Sequence, residues 1–135
     1  MIHAHLILTH LTQHRQEMAA LLAELVAAES PSDTPETQAG PQAILRAQFA
    51  QLGYTVAHTP GTLTGGYLVA RAPNADGRPS QLLLGHCDTV WPVGTLADMP
   101  LVVEGDVLRG PGTVSYTHLR AHETDSYLVC RLLLE

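Results

Sequence analysis

His86 and Asp88 are the residues whose types and spacing point most directly to chemistry. They stand in Leu82-Leu83-Leu84-Gly85-His86-Cys87-Asp88-Thr89-Val90-Trp91-Pro92, directly after an apolar run. Residues two apart in extended backbone project to the same side, so the imidazole and the carboxylate can meet. That arrangement suits a metal ligand with a carboxylate behind it. One ring nitrogen of His86 would bind the metal, while Asp88 accepts a hydrogen bond from the other and fixes the tautomer. The plainer alternative is a satisfied turn histidine, with Asp88 capping loose N–H groups. Three residues alone do not separate the two.

Other reactive side chains fit chemistry less well. Cys87 adjoins His86, but adjacent residues in extended chain face opposite ways, a poor dyad geometry, and Cys87 reads as a small buried residue. His3 and His5 form His-x-His behind only Met1 and Ile2, so a solvated N-terminus is expected. His10 and His14 are four apart on the exposed face of a helix extension. The loop Gly61-Thr62-Leu63-Thr64-Gly65-Gly66 lacks the lysine and spacing of a phosphate loop, which argues against nucleotide binding. Trp91-Pro92 either shapes a wall of the site or simply packs.

The elements that must position these residues are legible in outline. Met18, Leu21, Leu22, Leu25 and Val26 repeat as one buried helix face, and the helix stops before Ser30-Pro31-Ser32-Asp33-Thr34-Pro35. A second helix is expected from Pro41, with Ile44, Leu45, Phe49 and Leu52 inward and Gly53 at its C-terminal end. Strands are expected at 54–58, extending to Thr59, and at 66–70. Pro73-Asn74-Ala75-Asp76-Gly77 is a turn. Gln81-Leu82-Leu83-Leu84-Gly85 suits a strand buried on both faces. Leu101-Val102-Val103 and Val107-Leu108-Arg109 flank Glu104-Gly105-Asp106 as a hairpin. Helices followed by apolar strands indicate a layered α/β or α+β domain.

Composition narrows the function classes. The 135 residues are 45% apolar, enough for one ordinary domain. Thirteen acids oppose seven bases, all arginine, for a net charge of −6. This balance argues against nucleic acid and anionic lipid as partners. Two cysteines are too few for a disulfide scaffold. No basic-start signal and no bilayer-length apolar run is visible, so a cytoplasmic protein that engages no membrane is expected.

The motifs also carry a family resemblance. GHCDTVWPVGTL followed by VVEGDVLRGPG resembles the di-zinc exopeptidase family of glutamate carboxypeptidases, aminoacylases and succinyl-diaminopimelate desuccinylases. LLAELVAAESPS is similar to that family's first helix and the turn after it, and residues 40–56 to its second helix and following strand. The glutamate carboxypeptidase branch is the nearest, through Thr-Val-Trp-Pro and Glu-Gly-Asp before Gly-Pro-Gly. The resemblance implies an α/β three-layer sandwich with a mixed, largely parallel sheet. It implies two zinc ions, His86 as ligand to one, and Asp88 as the catalytic-site residue that orients it. It implies hydrolysis of a C-terminal, glutamate-type amide bond in a small peptide or N-acyl amino acid, and it leaves a homodimer open for the intact protein. The family places a metal-bridging aspartate three residues after Gly-Pro-Gly, where this chain has Ser115. Its glutamate base and other ligands would come later still.

From Val114 onward the sequence VSYTHLRAHETDSYLVCRLLLE leaves the family pattern. Val114 to Glu123 can be encoded by GTC TCT TAT ACA CAT CTC CGA GCC CAC GAG, which resembles a common transposase-type sequencing adapter. Leu128 to Leu134 can be encoded by a string resembling the flow-cell end of that adapter, and Thr124 to Tyr127 fall where the variable index belongs. Residues 1–113 therefore read as the N-terminal part of a metallopeptidase catalytic domain, and residues 114–135 as translated adapter. On this reading His118, His122, Glu123 and Cys130 form no site, and the native part carries ten acids against five bases. The fragment is expected to be inactive and to fold marginally, with one ligand of the metal set. Two rival readings stand beside this one: an N-acyl amino-acid deacylase or desuccinylase of the same family, and a non-catalytic globular domain in which His86 and Asp88 are structural.

Overall fold

The computed structural model describes residues 2–73 and 82–113. In chain order these form α1 (Ile2–Gln13), α2 (Arg15–Ala27), a 3-10 turn (Pro35–Gln38) and α3 (Ala39–Gln51). Then follow β1 (Thr55–Thr59), β2 (Tyr67–Arg71), the single-turn α4 (Thr95–Asp98), β3 (Val102–Glu104) and β4 (Val107–Arg109).

α2 carries the expected stripe from Leu21 onward, while Met18, one turn earlier, is exposed. Val26 is buried, and Leu21, Leu22 and Leu25 are half-buried along the same face. α1 replaces the solvated terminus expected around His5. Its apolar residues Leu6, Ile7 and Leu8 are consecutive, so they go round the helix rather than down one face, and all three are exposed. His14 breaks the two helices apart at φ −100°, ψ 14°. Its backbone N–H and its ring Nδ1 both lie within 3.1 Å of the His10 carbonyl oxygen.

α3 begins two residues before Pro41, continuous with the 3-10 turn. The first-turn N–H groups of a helix have no intrahelical partner, so proline is tolerated there without being the first residue. Its far end closes as a Schellman motif: Tyr54 N–H donates to Phe49 O at 2.9 Å and Gly53 N–H to Ala50 O at 3.0 Å. Gly53 sits at φ +80°, and the Phe49 and Tyr54 rings meet at 5.7 Å across the cap.

The strands form two separate antiparallel pairs. β1 pairs with β2 from Thr55↔Arg71 to Thr59↔Tyr67. β3 pairs with β4 as the hairpin pattern predicts, but Glu104 pairs with Val107, so the turn is the two residues Gly105-Asp106 rather than three. The apolar stretch expected as a doubly buried strand differs. Residues 82–85 join no ladder, and Leu82 and Leu83 are 80% and 92% exposed. A strand buried on both faces needs flanking strands and covering helices, and none lies against this stretch among the described residues. Gln81, most of the turn at 73–77 and all of 114–135 lie outside the described residues.

Buried polar groups knit the helical part to its loops. Gln38 Nε2 lies 3.4 Å from both Pro31 O and Ser32 O, and its Oε1 accepts from Gly65 N–H at 2.8 Å. Gln42 Nε2 donates to Gly65 O at 3.0 Å and Gly66 O at 3.2 Å. The glycine-rich loop thus spends its polar groups on two glutamines. Among the described residues no helix is long and apolar enough to cross a membrane.

Candidate functional site

The turn that ends α2 holds the His86–Asp88 segment. Ser30 is almost completely buried, and its Oγ donates to Cys87 O at 2.6 Å. Thr89 N–H donates to Ser30 O and Ser32 N–H to Thr89 O, both at 2.8 Å, a parallel bridge centred on Pro31 and Thr89. Ser32 Oγ donates to Asp88 Oδ2 at 2.6 Å, with Thr89 O at 3.1 Å. Proline stops the helix, and the two flanking serines supply the donors that grip residues 87–89.

The predicted pair comes together. His86 Nδ1 lies 3.2 Å from Asp88 Oδ1 and 3.0 Å from Asp88 O. The side chains are 29% and 22% exposed. Two acceptors at Nδ1 assign its proton there and leave the ring's lone pair on Nε2. A shallow cleft opens over the pair, lined by Ser32, His86, Asp88, Thr89, Val90 and Trp91.

The other motifs close around this centre. A Cβ placed on Gly112 would stand 2.8 Å from Thr89 Cγ2, so the Gly-Pro-Gly turn abuts the bridge residue at a distance only glycine permits. Pro111 is buried and shares a second hollow with Leu25, Val26, Glu29 and Trp91. Ser-Pro-Ser, His-Cys-Asp-Thr and Gly-Pro-Gly are far apart in sequence and neighbours in the fold.

Cys87 is half-buried rather than fully buried. Burial pushes its thiol up, and the charge of Asp88 pushes it further the same way. This is the reverse of what a thiolate nucleophile requires.

Three scaffold residues escaped the sequence reading. Glu29 takes φ +35°, and its carboxylate accepts from Gly94 N–H and Leu96 N–H. These amides hold the carboxyl below the usual glutamate range, Gly94 first and then Leu96, with burial opposing and Thr95 adding a smaller contribution. Gln38 and Gln42 are buried. Their i, i+4 spacing, which puts both on one helix face, was the available signal; Glu29 had none.

As a metal site the described residues offer one imidazole and its orienting carboxylate. Among them no group of three or more His, Cys, Asp or Glu side chains converges. His86 fits one position of a zinc site, which takes four ligands in all. His118, His122, Glu123 and Cys130 lie outside the described residues.

No family model matches the chain. Over 103 residues it is 33% identical to carboxypeptidase G2 of Pseudomonas sp. (strain RS-16). The match covers 75% of this chain, and the chain spans about a quarter of that relative's length. The similarity supports a distant relationship to that hydrolase.

Proposed function

We propose that this chain is the N-terminal part of a zinc-dependent hydrolase that releases a C-terminal, glutamate-type amino acid from a small peptide or N-acyl amino acid. The observation that carries the reading is the His86–Asp88 pair, fastened by Ser32 in an open cleft. The distant relationship to a carboxypeptidase supports it.

In this reading His86 holds one zinc through the nitrogen opposite its Asp88 contact. When bound, zinc polarises the scissile carbonyl and lowers the pKa of a water. The Asp88 backbone carbonyl keeps the proton on Nδ1, and its carboxylate places charge against the ring. Ser32 keeps Asp88 from turning away. Val90 and Trp91 give the cleft an apolar side. The second zinc, the glutamate base and the remaining ligands belong to the rest of the parent protein. So does the bulk of the proposed three-layer sandwich, whose sheet would cover residues 82–85.

The source DNA read past codon 113 tests this directly. The reading expects codons that diverge from residues 114–135 and supply further Asp, Glu and His ligands. It expects the parent protein to release glutamate from N-acyl-glutamates, to lose that activity to a chelator and to regain it with zinc. A parent without those ligands, or with them and no zinc-dependent hydrolysis, overturns it.

A further inference from the structure

We infer that Glu29 is a positioning residue of the cleft: its carboxylate ties the Gly94–Leu96 backbone to the end of α2 and so fixes Trp91 as the cleft wall. Gly94 N–H lies 3.0 Å from both Glu29 oxygens, and Leu96 N–H lies 3.0 Å from Oε1. The partners are 65 and 67 residues away in sequence. A charged acceptor that takes fixed backbone donors is a strong, directional tether.

The backbone of Glu29 is strained to make it. A non-glycine residue at φ +35° is uncommon and persists only where its surroundings over-determine it. Here the surroundings are the buried Ser30 on one side and the two amides on the other.

Trp91 lies where the tether acts. It lines the cleft beside His86 and Asp88, and it also lines the hollow that holds Glu29 and Pro111. The segment that carries it is fixed at two ends. At its start Thr89 is bridged to Ser30 and Ser32, and Trp91 N–H donates to Thr89 Oγ1 at 3.3 Å. At its end Thr95 bonds back to Pro92 O through N–H and Oγ1, which closes the turn that Glu29 grips. Without the carboxylate, the far end has lost its anchor and the indole is free to leave the wall.

That the wall borders a reaction site rests on the reading above; the placing of Trp91 does not. The experiment separates the two because it needs no zinc. Trp91 is the single tryptophan of the sequence, so fluorescence excited to the red of tyrosine absorption reports on this wall alone in the 135-residue chain. Glu29→Ala is expected to shift emission to longer wavelength and raise acrylamide quenching. Glu29→Gln, which keeps one acceptor oxygen, is expected to fall between it and the unaltered protein. Glu24→Ala, an equal loss of charge on the exposed side of α2, is expected to superimpose on the unaltered protein. In the unaltered protein the Gly94 and Leu96 amides are expected to exchange hydrogen about tenfold slower than in Glu29→Ala. Emission and quenching unchanged in Glu29→Ala, or changed equally in Glu24→Ala, would overturn the proposal. If Glu29→Ala fails to fold by circular dichroism, exchange in the unaltered protein decides. Gly94 and Leu96 amides that exchange at unprotected-peptide rates overturn the tether, and slowed exchange upholds it.

Discussion

Nδ1 of His86 has two acceptors from one residue: Asp88 Oδ1 at 3.2 Å and Asp88 O at 3.0 Å. The backbone carbonyl by itself is enough to keep the proton on Nδ1. The carboxylate therefore adds charge and basicity to the ring more than it selects the tautomer. The distinction separates two functions that a His-x-Asp motif merges when read as letters.

It also makes a clean substitution available. Asp88→Asn in the parent protein is expected to leave the ring nitrogen chemical shifts in the same tautomer pattern. It is expected to weaken zinc binding by about 10- to 100-fold, the usual effect of removing a carboxylate behind a metal-bound histidine. Competition against a chromogenic chelator measures this. Zinc affinity equal to the unaltered protein would mean that Asp88 is structural.

Ser32 acts one step further out, on Asp88 Oδ2. The bond is solvent-exposed, so its loss in Ser32→Ala is expected to cost about 1 kcal/mol rather than the larger value of a buried charged pair. That corresponds to about fivefold faster exchange of the Thr89 amide, which is bonded to Ser30 O. Ser32→Thr keeps the hydroxyl and is expected to restore the slow rate. Equal exchange in all three proteins would remove Ser32 from the site.

Cys87 gives a prediction of opposite character. Its thiol is raised above the ordinary cysteine value, first by burial and then by Asp88. The thiolate fraction at neutral pH is accordingly below that of a free cysteine. Iodoacetamide is expected to modify Cys87 more slowly than it modifies free cysteine, as read from the mass of the peptide that carries it. Faster modification would reopen the nucleophile reading.

What the sequence made legible was local. The α2 stripe ending at Val26, the β3–β4 turn at Gly105-Asp106 and the meeting of His86 with Asp88 each depend on spacings of a few residues. The long-range ties were hidden. Gln38 meets Gly65 and Glu29 meets Gly94, and no local pattern marks a polar side chain whose partner is set by tertiary packing. The helix extension at His10 and His14 was legible but the earlier turns of α1 were not, because Leu6-Ile7-Leu8 has no helical period. The apolar run at 82–85 was seen but read too far. Its residues demand burial without saying what is to bury them, and Leu83 is almost fully exposed.

That uncovered surface sets the last expectation. Leu82, Leu83 and Val90 are each at least 80% exposed, α1 leaves Leu6, Ile7 and Leu8 outward, and among the described residues the buried apolar side chains are Val26 and a few prolines. Hydrophobic burial is the dominant favourable contribution to folding, set against a large conformational entropy. With so little of it, the 135-residue chain is expected to bind a fluorescent apolar dye and to melt over a broad range, while still showing the helical signal of α2 and α3. The parent protein, which would supply cover for residues 82–85, is expected to melt sharply and bind little dye. A sharp, dye-free melt of the 135-residue chain would show that the described residues are sufficient as a domain, and would count against a missing remainder.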